Sequence, residues 1–252
     1  MSFDVEADSY DRFMGRYSTV LAPTFADFAG VRREQRALDV GCGPGALTTE
    51  LVARLGADSV DAVDPSESFV EAARARHPGV DVRRASADAL PHSDTAFDVT
   101  LAQLVVHFLP DPVAGLVEMA RVTRSGGVVA ACVWDFAGDR APISAFWRAA
   151  RDGDPDVRDE SDLSGARAGH LTDLFAAAGL SDVEETALPV SVEHATFDEW
   201  WAPFELGVGP AGAYVTALDG EERVALRERC RGLLPPAPFT LVAAVWAARG
   251  SA

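Results

Sequence analysis

Ala37-Leu-Asp-Val-Gly-Cys-Gly-Pro-Gly-Ala-Leu-Thr48 decides how this chain folds. An apolar, strand-like run carrying one acid, Asp39, ends at three alternate glycines, Gly41, Gly43 and Gly45. A helical pattern follows, with Leu47, Leu51 and Leu55 on one face and Gly56 placed to end it. Glycine lets the backbone turn sharply and approach a ligand where a Cβ would clash. The next helix aims free N–H groups and the positive end of its dipole at that ligand. Three alternate glycines exceed what a turn needs, so the segment reads as a cradle for a small molecule.

Asp64 closes the next strand pattern, Ser59-Val-Asp-Ala-Val-Asp64, about twenty residues further on, where nucleotide-binding folds place a ribose-binding acid. These two features also fit a nicotinamide enzyme, because Gly41, Gly43 and Ala46 satisfy the looser G-x-G-x-x-A pattern. A third strand, Val80 to Arg83, leads to Ser86-Ala-Asp-Ala-Leu-Pro, in which Asp88 and Ala89 suit an adenine: carboxylate to the exocyclic amine, backbone N–H to a ring nitrogen. Then come the strand opening at Phe97, the run Leu101-Ala-Gln-Leu-Val-Val-His107, a helix ending in Arg121-Val-Thr-Arg-Ser-Gly-Gly127, and the strand Val128 to Val133.

In this order the residues closely resemble the class I S-adenosylmethionine-dependent methyltransferases, nearest to the small-molecule branch that includes the ubiquinone and menaquinone type enzymes. The likeness is strong over residues 8 to 133 and looser beyond. It implies an α/β fold: a seven-stranded, Rossmann-like, doubly wound sheet, mostly parallel with an antiparallel last strand, and a helical cap over the active site. It implies S-adenosylmethionine as cofactor, with Gly41, Cys42, Gly43 and Gly45 around its methionyl part and ribose. Asp39 is expected to brace that loop by accepting backbone N–H bonds. Asp64 and Pro65 fall at the ribose, Asp88 and Ala89 at the adenine, and Gln103 near the ammonium. Tyr10 and Arg16 are expected at the carboxylate, which arginine grips bidentately.

A sulfonium methyl needs a nucleophile held in line with the S–CH3 bond and shielded from water, and positioning of that kind supplies much of the rate. His107, one turn past the mouth of the fourth strand, is the candidate base, since imidazole titrates near neutral pH. It also falls on the acceptor side, with Tyr17, Trp200 and Trp201 as further candidates for holding the acceptor. Two other readings stand beside this one: an accessory protein that binds the cofactor without turnover, and a nicotinamide-dependent reductase.

The 252 residues suffice for one large core, so a single domain over 1–252 is expected. Within it, 1–30 forms an N-terminal helical cover, and 136–170 and 192–236 are cap insertions. No run approaches the roughly 20 apolar residues of a membrane helix, and Met1 to Glu6 lack a signal-peptide pattern. A cytoplasmic protein without membrane partners follows as an expectation. Cys42, Cys132 and Cys230 are scattered, which predicts buried thiols and no metal site. A formal charge of −17 argues against a nucleic-acid partner and leaves a small-molecule acceptor. All 22 basic residues are arginine, lysine and asparagine are absent, and Ile143 is the only isoleucine, as expected of a GC-rich bacterial genome.

Periodicity predicts a helical segment over Tyr10 to Phe28 and strands near 36–41, 59–64, 80–84, 97–102, 127–133, 182–191 and 238–248, with helices between the first five. The stretch Asp152-Gly-Asp-Pro-Asp-Val-Arg-Asp-Glu-Ser-Asp162 fails as a calcium loop, having Val157 at the sixth position and Leu163 at the twelfth. It reads instead as a solvated, mobile acidic loop.

Overall fold

The computed structural model describes residues 7–252; the leader reading made on Met1 to Glu6 and the start of the expected 1–30 cover lie outside the described residues. The chain enters through α1 (Ala7–Tyr10), a wide turn Asp11–Gly15 and α2 (Arg16–Phe28), one unbroken helical run. Then follow β1 (Ala37–Val40), α3 (Ala46–Leu55), β2 (Val60–Asp64), α4 (Glu67–Arg76) and β3 (Asp81–Arg84). The second half continues with β4 (Phe97–Gln103), α5 (Pro112–Val122), β5 (Thr123–Trp134), α6 (Ser144–Gly153), α7 (His170–Ala177) and β6 (Ser181–His194). Three cover helices, α8 (Phe197–Trp201), α9 (Gly209–Ala217) and α10 (Gly220–Leu233), precede β7 (Phe239–Ser251).

The strands form one sheet in the order β3-β2-β1-β4-β5-β7-β6. β1 pairs in parallel with β2 and β4, while β7 runs antiparallel to β5 and β6. Every residue of β1 and β2 is buried, because helices cover both faces of a parallel sheet and leave no polar side. β6 lies at the edge, where exposed Glu184 and Pro189 discourage further strand pairing. Among the described residues no helix is long and apolar enough to cross a membrane.

Two local expectations need correction. No helix joins β3 to β4; residues 85–96 are turns and bends. Pro91 and the polar run His92, Ser93 and Asp94 supply turn chemistry and no helical apolar period. The acidic stretch is not solvated throughout, because Glu160 is only 5 % exposed.

The order reverses at β1 and β4, since the chain moves outward from β1 to β3 and then returns to the other side of β1. Ligands bind in the crevice at the carboxyl ends of strands flanking such a switch point. The glycine segment leaves β1 on that side, and Gln103 and His107 follow β4 there.

Candidate active site

Gly41, Gly43 and Gly45 have φ of +70°, +53° and +97°, the left-handed region in which a Cβ is costly. The amides of Gly41 and Cys42 both donate to Val63 O, at 2.8 and 2.9 Å, tying the loop to the end of β2. The Asp64 carboxylate completes the tie, accepting from Gly43 N at 2.9 Å through Oδ2 and from Ser66 N at 2.8 Å through Oδ1. Burial raises the Asp64 pKa and those two amides oppose the rise. A Cβ on Gly41 would stand 2.5 Å from Val105 Cγ2, so the close approach of β1 and the β4 exit leaves no room for a side chain.

A cleft of about 390 Å³ opens above this loop, within the roughly 300–1,000 Å³ of small-molecule sites. Tyr10, Gly41, Gly43, Asp64, Pro65 and Gln103 of the expected cofactor set meet on its wall. Gln103 donates from Nε2 to Ser18 O at 3.1 Å, while its buried Oε1 has no partner. An orphaned acceptor beside a cradle of left-handed glycines fits a ligand carrying an ammonium group. Tyr10 packs on Phe69 with ring centroids 5.3 Å apart, and burial pushes its phenol up to about 12. Arg76 ties the cover to the loop, bonding both Asp11 at 2.7 Å and Pro44 O at 2.8 Å.

Other expected cofactor residues sit elsewhere. Asp39 is buried behind the loop and accepts from Thr48 Oγ1 at 2.6 Å, so it braces the start of α3 and not the loop amides. Burial pushes its carboxyl up to about 7. Cys42 and Gly45 lie outside the cleft wall; Gly45 O meets the His77 ring at 3.3 Å. Asp88 and Ala89 are exposed, and Ser86 and Ala87 line the cleft in their place. The two-residue offset arises because the loop after β3 turns into the cleft earlier than the acid suggested, leaving a hydroxyl where a carboxylate was expected.

Arg16 is likewise withdrawn. Its Nη1 meets His194 Nδ1 at 3.1 Å and Glu199 at 3.0 Å. Arginine only donates, so His194 accepts at Nδ1 and its Nε2 carries the proton that faces Tyr17 OH at 2.9 Å. Burial, with the Arg16 charge, lowers the His194 pKa to about 4. Tyr17 is thus held in a buried network against Trp134 and does not line the cleft. Trp200 and Trp201 are core: Trp200 packs on Phe204 at 4.9 Å, and Trp201 stacks on Phe197 and donates to Glu205 at 3.0 Å. These positions are settled by α2, β6 and α8 meeting across sequence separations that no local pattern carries.

A second, smaller cavity of about 40 Å³ adjoins the cleft and shares Tyr10, Leu104 and Phe108 with it. Leu104 reaches this shared wall at φ +62°, a strained conformation for a non-glycine residue of the kind that clusters at functional sites. His107 lines the cavity from the short turn Val106–Phe108, its ring 3.8 Å from Phe108 and 6.0 Å from Phe136. Burial lowers its pKa to about 3, and its Nδ1 has no partner. The imidazole is therefore neutral over the working pH range and a weak proton acceptor, contrary to a base titrating near neutrality. Glu160, Trp134, Phe136 and Val208 complete much of the wall, and no sequence pattern singled them out.

The unpaired Nδ1 yields a prediction. An unsatisfied buried polar atom costs about 1–3 kcal/mol, and leucine fills much of the same volume. His107→Leu is expected to melt at or above the parent temperature and to keep its affinity for S-adenosylhomocysteine. A marked fall in melting temperature would show that Nδ1 is satisfied in solution.

Residues 38–131 match the family model described as "Methyltransferase domain". The malonyl-[acyl-carrier protein] O-methyltransferase of Erwinia billingiae is 33% identical over 128 residues, covering 51% of this chain and 50% of that protein. The trans-aconitate 2-methyltransferase of Rhizobium rhizogenes is 39% identical over 99 residues, covering 39% and 38%. The chain thus spans half or less of the length of these two relatives. The crystal structure of geranyl diphosphate C-methyltransferase from Streptomyces coelicolor, in complex with S-adenosyl-L-homocysteine, aligns with a TM-score of 0.55 at 15% identity, over 94% of this chain and 80% of that one. The matched domain over residues 38–131, the seven-stranded order with its antiparallel last strand and the glycine cradle make this chain similar to the class I S-adenosylmethionine-dependent methyltransferases, whose cofactor is S-adenosylmethionine.

Proposed function

We propose that the protein transfers the methyl group of S-adenosylmethionine to a small, neutral acceptor held in the cavity beside His107. The observation that carries this reading is the junction of the two spaces: Tyr10, Leu104 and Phe108 belong to both walls, so a cofactor in the cleft would present its reacting end to the cavity. The cofactor supplies an electrophilic methyl on a sulfonium. The chain's part is to hold and to shield. Gly41, Gly43 and Asp64 position the methionyl and ribose parts, Gln103 Oε1 receives the ammonium, and Ser86 and Ala87 meet the base. Phe108, Trp134 and Phe136 keep water from the line of attack, and His107 offers the acceptor a neutral hydrogen-bonding group.

A neutral acceptor is favoured because no arginine among the described residues borders the cavity. That sets this chain apart from a relative named for trans-aconitate, an anion. With a formal charge of −17, nucleic acid is not a partner. Residues 7–30, 136–170 and 192–236 act as the cover of a single domain. The three buried, unpaired thiols Cys42, Cys132 and Cys230 suit a reducing, cytoplasmic compartment.

Calorimetric titration tests the cofactor half of this reading. S-adenosylmethionine and S-adenosylhomocysteine are expected to bind in the micromolar range, and NAD and NADP not at all. Binding of NADPH tighter than S-adenosylhomocysteine would overturn it. The transfer half is tested by incubating the protein with methyl-deuterated cofactor and a metabolite panel, with mass detection of the labelled product.

A further inference from the structure

Glu160 lies inside the acidic stretch 152–162, yet its side chain turns inward and forms part of the wall that holds His107. Trp147 Nε1 donates to its Oε2 at 2.9 Å, and no donor among the described residues meets Oε1. The surrounding wall is apolar, made of Phe13, Met14, Phe108, Trp134, Phe136 and Ile143. One indole bond does not offset removing a carboxylate from water. A carboxyl kept in such a place, with one oxygen open to a cavity and an unpartnered His107 Nδ1 on the same wall, is built to receive a donor from outside the protein.

Resting on the methyl-transfer reading above, we infer that Glu160 Oε1 receives the acceptor's O–H and takes its proton, so that the acceptor is a neutral, ring-bearing compound with one acidic hydroxyl, a phenol or an enol. The aromatic wall favours a ring. A carboxylate acceptor would be repelled by Glu160 and would find no cation on the wall. An alkylamine would be held as an ammonium, without the lone pair that attack requires. In the step, the oxygen of the acceptor bonds to the methyl carbon as the S–CH3 bond breaks, and the bonding pair stays on sulfur as a neutral thioether. The hydroxyl proton passes to Oε1 and leaves to water when the product departs.

The surroundings support this role. Burial, with the nearby Asp159 charge, pushes the Glu160 carboxyl up to about 7, where a general base works best at neutral pH. Asp159 is itself paired with Arg151, and the two other titratable groups on the cavity wall, Tyr10 and His107, are uncharged at that pH. About 40 Å³ holds water-sized groups and no ring, so Val208–Ala211 must swing outward to admit the acceptor. Gly207 and Gly209, at φ +73° and +64°, flank Val208 and provide the backbone freedom.

Phenol, anisole and benzoate are the probes, titrated by NMR into the parent, Glu160→Gln and Glu160→Leu proteins saturated with S-adenosylhomocysteine. The parent is expected to bind phenol at least about tenfold tighter than anisole or benzoate. That preference should shrink as pH falls through about 7. Glu160→Leu should lose the preference, and Glu160→Gln, which keeps an acceptor oxygen, should retain part of it without the pH dependence. With methyl-deuterated cofactor the parent should methylate phenol at least about a hundredfold faster than Glu160→Gln. Equal phenol affinity in the parent and Glu160→Leu, no phenol binding by the parent, or benzoate bound tighter than phenol each overturns the assignment. A parent that binds phenol without methylating it overturns the proton-transfer role. Failure of the parent to bind S-adenosylhomocysteine would instead bring down the cofactor reading on which this one stands.

Discussion

Asp64→Ala is expected to lower the affinity for S-adenosylhomocysteine by about a hundredfold or more, measured by calorimetry. The side chain is 6 % exposed and accepts two backbone bonds, from Gly43 at 2.9 Å and Ser66 at 2.8 Å. Hydrogen bonds to a charged group contribute about 1.5–3 kcal/mol each, and every 1.4 kcal/mol is about tenfold in affinity. Alanine removes the clamp that holds the glycine loop against β2, together with the proposed ribose partner, so both the shape of the cradle and the proposed direct contact are lost. Asp64→Asn serves as a check, because its amide NH2 turns a donor toward one of the two backbone donors and restores only half of the clamp. An Asp64→Ala protein that bound the ligand within a few-fold of the parent would remove this carboxylate from the site.

Glu160→Gln is expected to stabilise the ligand-free protein at pH 8 by about 3 kcal/mol while it impairs the acceptor side. The carboxyl rises from an ordinary 4.5 to about 7 on folding, chiefly through burial. Below 4.5 it is protonated in both the folded and the unfolded chain and costs nothing extra. Between 4.5 and 7 the folded state keeps a proton that the unfolded state releases, so stability declines as pH rises and levels off above 7. At about 1.36 kcal/mol per pKa unit the parent loses about 3 kcal/mol over that window. Glutamine keeps the bond from Trp147 Nε1 and carries no charge, so it escapes the loss. For a chain of this size the difference corresponds to a melting temperature about 6–12 °C higher at pH 8, shrinking toward zero near pH 4.5. Asp39, also raised to about 7 by burial, makes the parent sensitive to pH in the same direction, but it is common to both proteins and cancels in the comparison. Equal pH dependence of the two melting temperatures would show Glu160 to be solvated.

The gain in stability from removing Glu160 has a functional sense. A buried charge retained against its cost marks a position kept for chemistry, and the strained Leu104 on the same wall is of the same kind.

The amino-acid sequence by itself determined what is local or periodic. The glycine series Gly41, Gly43 and Gly45 announced left-handed backbone, because only glycine adopts it without strain, and all three have positive φ. Strand positions were legible within a few residues, since short apolar runs rich in β-branched side chains and bounded by turn residues favour a buried strand over a helix. The acid at the end of β2 could be found from its distance to the glycines, because one βαβ unit has a nearly fixed length. Tertiary structure decided whatever depends on residues distant in sequence meeting in space. Arg16 and Tyr17 face His194 across 178 and 177 residues, so side chains that read as ligand partners became internal struts. Trp200 and Trp201 had the composition of an acceptor wall and the burial of a core, which only the packing of α8 against the sheet could distinguish. Ser86 and Ala87 replaced Asp88 and Ala89 because the direction of an irregular loop is set by what it packs against and not by its own period. Glu160 was hidden in a run of acids that looked solvated, and only the fold of 154–169 over Trp147 turned one of them inward. Backbone conformation is written in short-range sterics, whereas the environment of a charge is a property of the assembled molecule.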